Sequence, residues 1–208
     1  MTNVLLVDDE RMIQELFSYY ISTAKDRYRL VNTIIDAANT EMACMGSKVD
    51  LILMDVCTAN YASGLDAAAN IKKKFPHIKI IIVTSSPEHR FLEKARAAGA
   101  ESFWYKEVDS VELLDVMDRT MTGESIYPDT TPKVQVGLAA SVEFTPKELE
   151  VLFHMVQGKS IGEIAERMGV DYSTTRTHIN HLKDKTGAKT NSELAVLAAK
   201  SKLVMPEY

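Results

Sequence analysis

Four uninterrupted apolar residues, Leu51-Ile52-Leu53-Met54, run straight into a carboxylate, Asp55. A continuous apolar run of this length suits a parallel strand buried on both faces. Three other segments follow the same plan. Val4 to Val7 ends in Asp8-Asp9, Ile78 to Val83 is broken only by Lys79 and ends in Thr84, and the aromatic Ser102-Phe103-Trp104-Tyr105 ends in Lys106. Tyr28 to Ile35 is also β-rich. Between these runs the apolar period changes to that of a helix. Met12, Ile13, Leu16, Phe17, Tyr20 and Ile21 place a helix over Asp9 to Thr23, and further helices fit Asn39 to Ser47, Leu65 to Phe75 (stopped by Pro76) and Ser110 to Thr122. Another runs from Pro87, suited to a first helical turn, to Ala98, with Gly99 as its C-terminal cap. Five repeats of strand then helix predict a doubly wound α/β domain: a five-stranded parallel sheet with right-handed crossovers.

The pattern changes after Gly123. Pro128, Asp129, Thr130, Thr131, Pro132 and Lys133 break all periodicity, and residues 123–141 read as a semi-stiff linker. From Phe144 the chain reads as four helices. Thr145-Pro146-Lys147-Glu148 offers a cap, a proline at the first position and a capping box. Ser160 caps a second helix, Gly169-Val170-Asp171 is a tight turn, Tyr172 to Thr186 is a third helix, and Asn191 or Ser192 caps a fourth. The expected organisation is an α/β domain over 1–122 and a small all-α tetrahelical domain over 142–208.

Composition narrows the class without deciding it. The chain of 208 residues is 46% hydrophobic and 25% charged, as soluble proteins are. It has no apolar run of the roughly 18 residues that cross a bilayer, and no signal-peptide pattern opens it. Cys44 and Cys57 lack metal-ligand spacing and fit a reduced cytosol; the five His are scattered, without the spacing of a zinc site. Residues 1–122 carry 14 Lys+Arg against 18 Asp+Glu, and residues 142–208 carry 9 against 9. Any nucleic-acid binding by the second domain therefore depends on where its charges sit, not on their sum.

Strand ends of a parallel sheet share one edge, and ligands bind there. This edge gathers Asp8, Asp9, Asp55, Thr84 and Lys106. Clustered carboxylates repel unless a cation sits among them, and hard oxygen ligands beside a phosphate-sized space suit Mg²⁺. Lys106 and Thr84 would face an anion. In the second domain, the tight helix, glycine turn and helix form a helix-turn-helix signature. Ser173, Thr174, Arg176, Thr177, Asn180, His181, Lys183 and Asp184 avoid the Ile179/Leu182 stripe, so the third helix has a polar outer face. Its short donors suit base edges in a major groove. A solvated helix face has the same pattern.

With these residues placed, both halves resemble one known family. Asp8-Asp9, Asp55, Thr84 and Lys106 match the motif positions of a flavodoxin-like receiver domain in order and spacing. The stretch from Phe144, through Thr145-Pro146, Glu148-Leu149-Glu150-Val151-Leu152 and Thr177-His178-Ile179, to Gly187 resembles a LuxR-type helix-turn-helix. The chain is thus similar to bacterial two-component response regulators of the NarL/FixJ kind. The resemblance implies that Asp55 accepts a phosphoryl group from a sensor histidine kinase. Asp8, Asp9, Asp55 and the backbone carbonyl of Cys57 would hold Mg²⁺, and Lys106 would pair with a phosphoryl oxygen. Thr84 would donate to that group, with Phe103 swinging inward behind it. It further implies promoter DNA as a partner, a homodimer when active, and possible contact with RNA polymerase. On the recognition helix Ser173, Thr174, Arg176, Thr177 and Asn180 are the base-reading candidates. Lys159, Ser160, His178, Lys183, Lys185 and Lys189 are the phosphate contacts. Val196, Ala199, Leu203 and Val204 are expected to expose a dimer contact on the fourth helix.

Three features depart from the family pattern, one being Trp104, an unusual neighbour for the switch strand. Thr58, Ala59 and Ser63 stand where relatives carry Met, Pro and Gly, with Gly64 one position late, so the loop after Asp55 is one residue longer. Thr175 stands where Val is usual. Two other readings share part of the pattern. One is a regulator that binds DNA without phosphorylation, against which the intact acidic set argues. The other is a Mg²⁺-dependent small-molecule phosphatase, which would need a capping domain over its substrate.

Overall fold

The computed structural model describes residues 1–88, 90–106 and 110–204, with Ser110 and Val111 placed by their backbone alone. Contacts divide the chain into two compact units whose boundary in the linker falls between Thr130 and Thr131.

The first unit alternates strand and helix throughout. Its elements are β1 (Thr2–Val7), α1 (Arg11–Thr23), β2 (Tyr28–Ile34), α2 (Thr40–Gly46) and β3 (Leu51–Asp55), then α3 (Gly64–Lys74), β4 (Lys79–Thr84), α4 (Arg90–Ala98), β5 (Ser102–Tyr105) and α5 (Ser110–Met121). The strands form one parallel sheet in the order β2-β1-β3-β4-β5. The uninterrupted apolar runs belong to the three inner strands, where both faces are covered. Val4 to Val7, Leu51 to Met54 and Ile80 to Val83 are all fully buried. One face packs on α1 and α5 through Phe17, Ile21, Leu113 and Met117; there the Trp104 ring of β5 meets Phe17 edge-on at 6.0 Å. The helix expected from Pro87 is described only from Arg90, so that proline lies outside it. Gly99 closes α4 at φ +82°, as a helix C-terminus requires.

β5 is an outer strand of the sheet. Its free edge is covered by chain that the sequence assigns to the linker. The Phe103 amide donates to the Ile126 carbonyl (2.8 Å), Ser125 Oγ donates to the Glu101 carbonyl (2.7 Å), and the Tyr127 hydroxyl donates to the Ala100 carbonyl (2.9 Å). Covering an edge in this way removes a row of unpaired backbone groups.

The second unit opens with a feature the sequence did not announce. β6 (Gln135–Val136) and β7 (Ala139–Ala140) form a short antiparallel hairpin turned at Gly137, φ +61°. A Cβ at Gly137 would lie 2.2 Å from the carbonyl oxygen of Thr186, so only glycine fits. Four helices follow: α6 (Pro146–Val156), α7 (Ile161–Met168), α8 (Tyr172–Thr186) and α9 (Asn191–Lys200). Thr145 and Ser160 cap α6 and α7 through capping boxes with Glu148 and Glu163. The cap of α9 is Thr190, which accepts the Glu193 amide, in place of the expected Asn191 or Ser192. Val136 and Ala139 of the hairpin share one core with Val151, Leu152, Ile164, Ile179, Leu182 and Leu194. Leu203 and Val204 belong to the same core at 3% and 2% exposure, which removes them from the expected dimer surface; Val196 and Ala199 remain exposed.

Candidate functional site

Sheet register builds the acidic edge. Val7 pairs with Met54, so Asp8 and Asp55 come level one residue later. Asp55 pairs with Val83, and Thr84 with Tyr105, whose next residue is Lys106. The Lys106 amide donates to the Thr84 carbonyl at 2.9 Å. Carboxylate oxygens of Asp8, Asp9 and Asp55 all lie within 4.8 Å of one another. The Lys106 ammonium reaches Asp8 Oδ2 at 2.8 Å and Asp55 Oδ2 at 2.9 Å, with Glu10 Oε1 farther off at 3.8 Å. Asp8 and Asp55 are buried and Asp9 is exposed, so the cluster opens to solvent on the side of Asp9.

Local bonds hold each side chain. Asp8 Oδ1 accepts the Glu10 amide (3.0 Å), and the Gln14 side chain donates to the Asp8 carbonyl. Asp55 Oδ1 accepts the Val56 amide at 2.8 Å. Burial drives the Asp55 carboxyl up to about 7, with Asp8 adding to the rise and Lys106 opposing it. Burial likewise raises Asp8 against the pull of Lys106. Lys106 is raised: burial disfavours its charge, but Asp55 and Asp8 together outweigh that. Three carboxylates against one ammonium leave the cluster short of positive charge, and its donors are all oxygens. That donor set fits a hard divalent ion.

The longer loop after Asp55 is absorbed in a turn. Asn60 and Tyr61 both take left-handed backbone, φ +57° and +59°. Asn60 is tied to Asp36 (2.8 Å), and the Thr58 hydroxyl joins the turn by accepting the Ala37 amide and donating to the Ala62 carbonyl, each at 2.9 Å. The loop then returns beside its start, with Cys57 bridged to Ser63 and the Gly64 amide donating to the Val56 carbonyl. At Gly64 a Cβ would sit 1.7 Å from the carbonyl oxygen of Asp55. Gly64 is thus part of the site through its lack of a side chain. Its signal in the sequence was a glycine displaced by one position.

Thr84 ends β4, as expected, and is buried there. Phe103 differs from expectation. Its ring is already inward at 1% exposure, packed edge-on to Tyr105 at 5.1 Å and near Tyr127 at 6.1 Å, so no inward swing is left to it.

On α8 the buried stripe is Thr175, Ile179, Leu182 and Thr186. Ser173, Thr174, Arg176, Thr177 and Asn180 are exposed along the opposite face; His178 and Lys183 are half-buried, Lys189 is exposed and Lys159 is half-buried. Two expected phosphate contacts are engaged elsewhere. Lys185 pairs with the buried Glu148 of α6 (2.8 Å) and donates to the Glu143 carbonyl (2.8 Å). Ser160 donates its hydroxyl to Glu163 within its own capping box. Thr175 Oγ1 is buried with no hydrogen-bond partner among the described residues.

Comparison with known proteins finds two domain families along the chain. Residues 4–118 match the response regulator receiver domain family, and residues 142–198 match the bacterial regulatory proteins of the luxR family. The response regulator protein VraR of Staphylococcus aureus (strain N315) is 28% identical over 209 residues, spanning 97% of this chain and 98% of that protein. Among solved structures, RcsB dimers bound to two parallel DNAs share the fold at TM-score 0.65 and 18% identity, covering 95% of this chain and 98% of RcsB. RcsB from Salmonella enterica serovar Typhimurium, bound to promoter rprA, aligns at TM-score 0.62 and 18% identity, covering 95% and 98%. Both matched domains are those of regulators, and no helix among the described residues is long and apolar enough to cross a membrane. The chain belongs to the response regulators that join a receiver domain to a LuxR-type helix-turn-helix domain.

Proposed function

We propose that this regulator is switched by phosphorylation of Asp55 and that α8 carries its DNA-reading face. The observation that supports it most is the meeting of Asp8, Asp9, Asp55 and Lys106 at one sheet edge. Asp8, Asp9, Asp55 and the Cys57 carbonyl would hold Mg²⁺, which when bound offsets the charge of carboxylates and phosphoryl oxygens. A sensor histidine kinase is the donor that the family implies. A carboxylate oxygen of Asp55 attacks the phosphorus of the phosphohistidine. The phosphorus–nitrogen bond breaks, and its electron pair stays on the imidazole. Lys106, now beside Asp55 Oδ2 at 2.9 Å, would turn to a phosphoryl oxygen, and the Thr84 hydroxyl would donate to another.

The helical domain would bind promoter DNA as a dimer, since one helix-turn-helix reads a short half-site. The exposed Val196 and Ala199 of α9 are the contact this reading assigns. Arg176, with Ser173, Thr174, Thr177 and Asn180 on the same face, would read bases. Lys159, His178, Lys183 and Lys189 would touch phosphates. The test is Mg²⁺-dependent labelling by acetyl phosphate. Wild type takes one label at Asp55 and Asp55→Asn takes none; equal labelling of the two would sink the assignment.

A further inference from the structure

The stretch just past α5 does more than cover an edge. Ile126 is bound to β5 from both sides of its peptide. Its carbonyl accepts the Phe103 amide, and its amide donates to Ser102 Oγ at 3.1 Å. The Thr120 hydroxyl donates to the Val116 carbonyl, so the buried Ser102 hydroxyl must donate to Thr120 Oγ1 (2.7 Å). The result is one directed chain of donors from Ile126 through β5 into α5. The next residue, Tyr127, touches two elements and the turn between them. Arg96 of α4 stacks over its ring at 3.8 Å, its hydroxyl reaches the Ala100 carbonyl before β5, and its ring packs by Phe103 of β5.

We propose that Tyr127 is a positioning residue of the switch, coupling the packing of Phe103 to the chain that leaves the receiver for the helical domain. The proposal rests on the reading of Thr84 and Phe103 given above. Phe103 and Tyr105 lie on the same face of β5, and Tyr105 is the register partner of Thr84. A Thr84 hydroxyl drawn toward a phosphoryl group vacates space beside those rings. Phe103 is fully buried, so it cannot answer by moving in from solvent. Its available response is to shift along the core toward Thr84 and away from Tyr127. Tyr127 then loses its ring contact, and the bonds of residues 125–127 to β5 and to the turn before it loosen. Coupling of this kind is reciprocal: a contact that phosphorylation weakens is a contact that holds phosphorylation back.

The experiment uses the full chain with Mg²⁺, with and without beryllofluoride as the phosphoryl mimic, and reads amide hydrogen exchange at Phe103. Beryllofluoride speeds that exchange by about tenfold or more, as local opening of the segment requires. Tyr127→Ala binds beryllofluoride at least about five-fold more tightly than wild type, at the low end of typical couplings, while Tyr127→Phe keeps the ring and stays near wild type. Arg96→Ala, at an exposed position that does not threaten folding, shifts affinity in the same direction by less. Acetyl phosphate labelling of Asp55 is followed in parallel. Labelled Asp55 with unchanged or slowed exchange at Phe103 overturns the coupling and leaves the site reading intact, as does unaltered beryllofluoride affinity in both Tyr127→Ala and Arg96→Ala. No label on wild-type Asp55 sinks both.

Discussion

Lys106 and Lys185 are tied to carboxylates in the two domains, and the count of charges around each separates their roles. The Lys106 side chain is 2% exposed and stands between Asp8 and Asp55, with Asp9 in the same cluster. One cation faces three carboxyl groups, which leaves the cluster short of positive charge. Lys185 faces one carboxylate, Glu148, and fills a further donor with the Glu143 carbonyl. That pair is closed and joins α6 to α8. Residue type alone makes both lysines candidate anion ligands. Local charge balance leaves one in an open acidic cluster and makes the other a strut.

The largest effect is expected where the site is fixed by backbone. Gly64→Ala sets a methyl 1.7 Å from the Asp55 carbonyl oxygen, a backbone atom that no side-chain rotation can move aside. Urea unfolding should show the receiver destabilised by more than about 3 kcal/mol, with Asp55 labelling lost. A loss under about 1 kcal/mol would mean that the loop can slide away.

The two lysines are next. Lys185→Ala strands the buried Glu148 and should cost about 2 kcal/mol, the same with or without Mg²⁺. Lys106→Ala leaves three carboxylates facing one another, so its stability should rise with Mg²⁺. An equal Mg²⁺ response in both variants would erase the distinction drawn above. Acid gives a second mark. Burial acts to raise the Glu148 carboxyl, but bonds from Lys185 and Thr145 overcome this and hold it below its usual 4.5. A lowered carboxyl stabilises the fold above its unfolded pKa, and that stability is lost as pH falls through the folded value. Wild type should therefore lose this contribution below pH 4.5, while Lys185→Ala has little of it to lose.

Asp55 has the opposite sign. Its carboxyl lies near 7, against 3.8 in the unfolded chain, so the folded site holds a proton across that window. An arriving Mg²⁺ must displace it. Calorimetry should find affinity rising by up to about tenfold per pH unit on the way to 7, then levelling. Constant affinity from pH 5 to 7 would contradict the shift. The smallest expected effect is in the helical domain. Thr175→Val removes a buried hydroxyl without a partner and keeps its shape, so stability should increase by about 1 kcal/mol. A destabilised variant would point to a bond that the hydroxyl makes outside this arrangement.

What was legible in the sequence was whatever depends on period and on neighbours. The runs Val4–Val7 and Leu51–Met54 declared buried strands, and once the strands were parallel their ends had to meet. The caps Thr145 and Ser160 were visible because a capping box spans four residues. The misses involve distance along the chain. Lys185 meets Glu148 across 37 residues, and nothing near Lys185 announces it. Leu203 and Val204 read as exposed because they follow a helix end, yet the chain folds them back into the core. Strands of two residues, as in β6 and β7, are too short to show a period. The inward ring of Phe103 was not legible either, because its cover, Tyr127, lies in a stretch that looks like linker.

Trp104 is the chain's one tryptophan, and its ring is buried against Phe17 within the receiver core. The helical domain contributes tyrosine but no indole. Emission excited at the red edge of the absorption band therefore comes from a single place. A thermal melt followed at that wavelength reports the receiver by itself, while far-ultraviolet dichroism reports both domains. The gap between the two curves measures, without any label, how independently the two halves of the chain unfold.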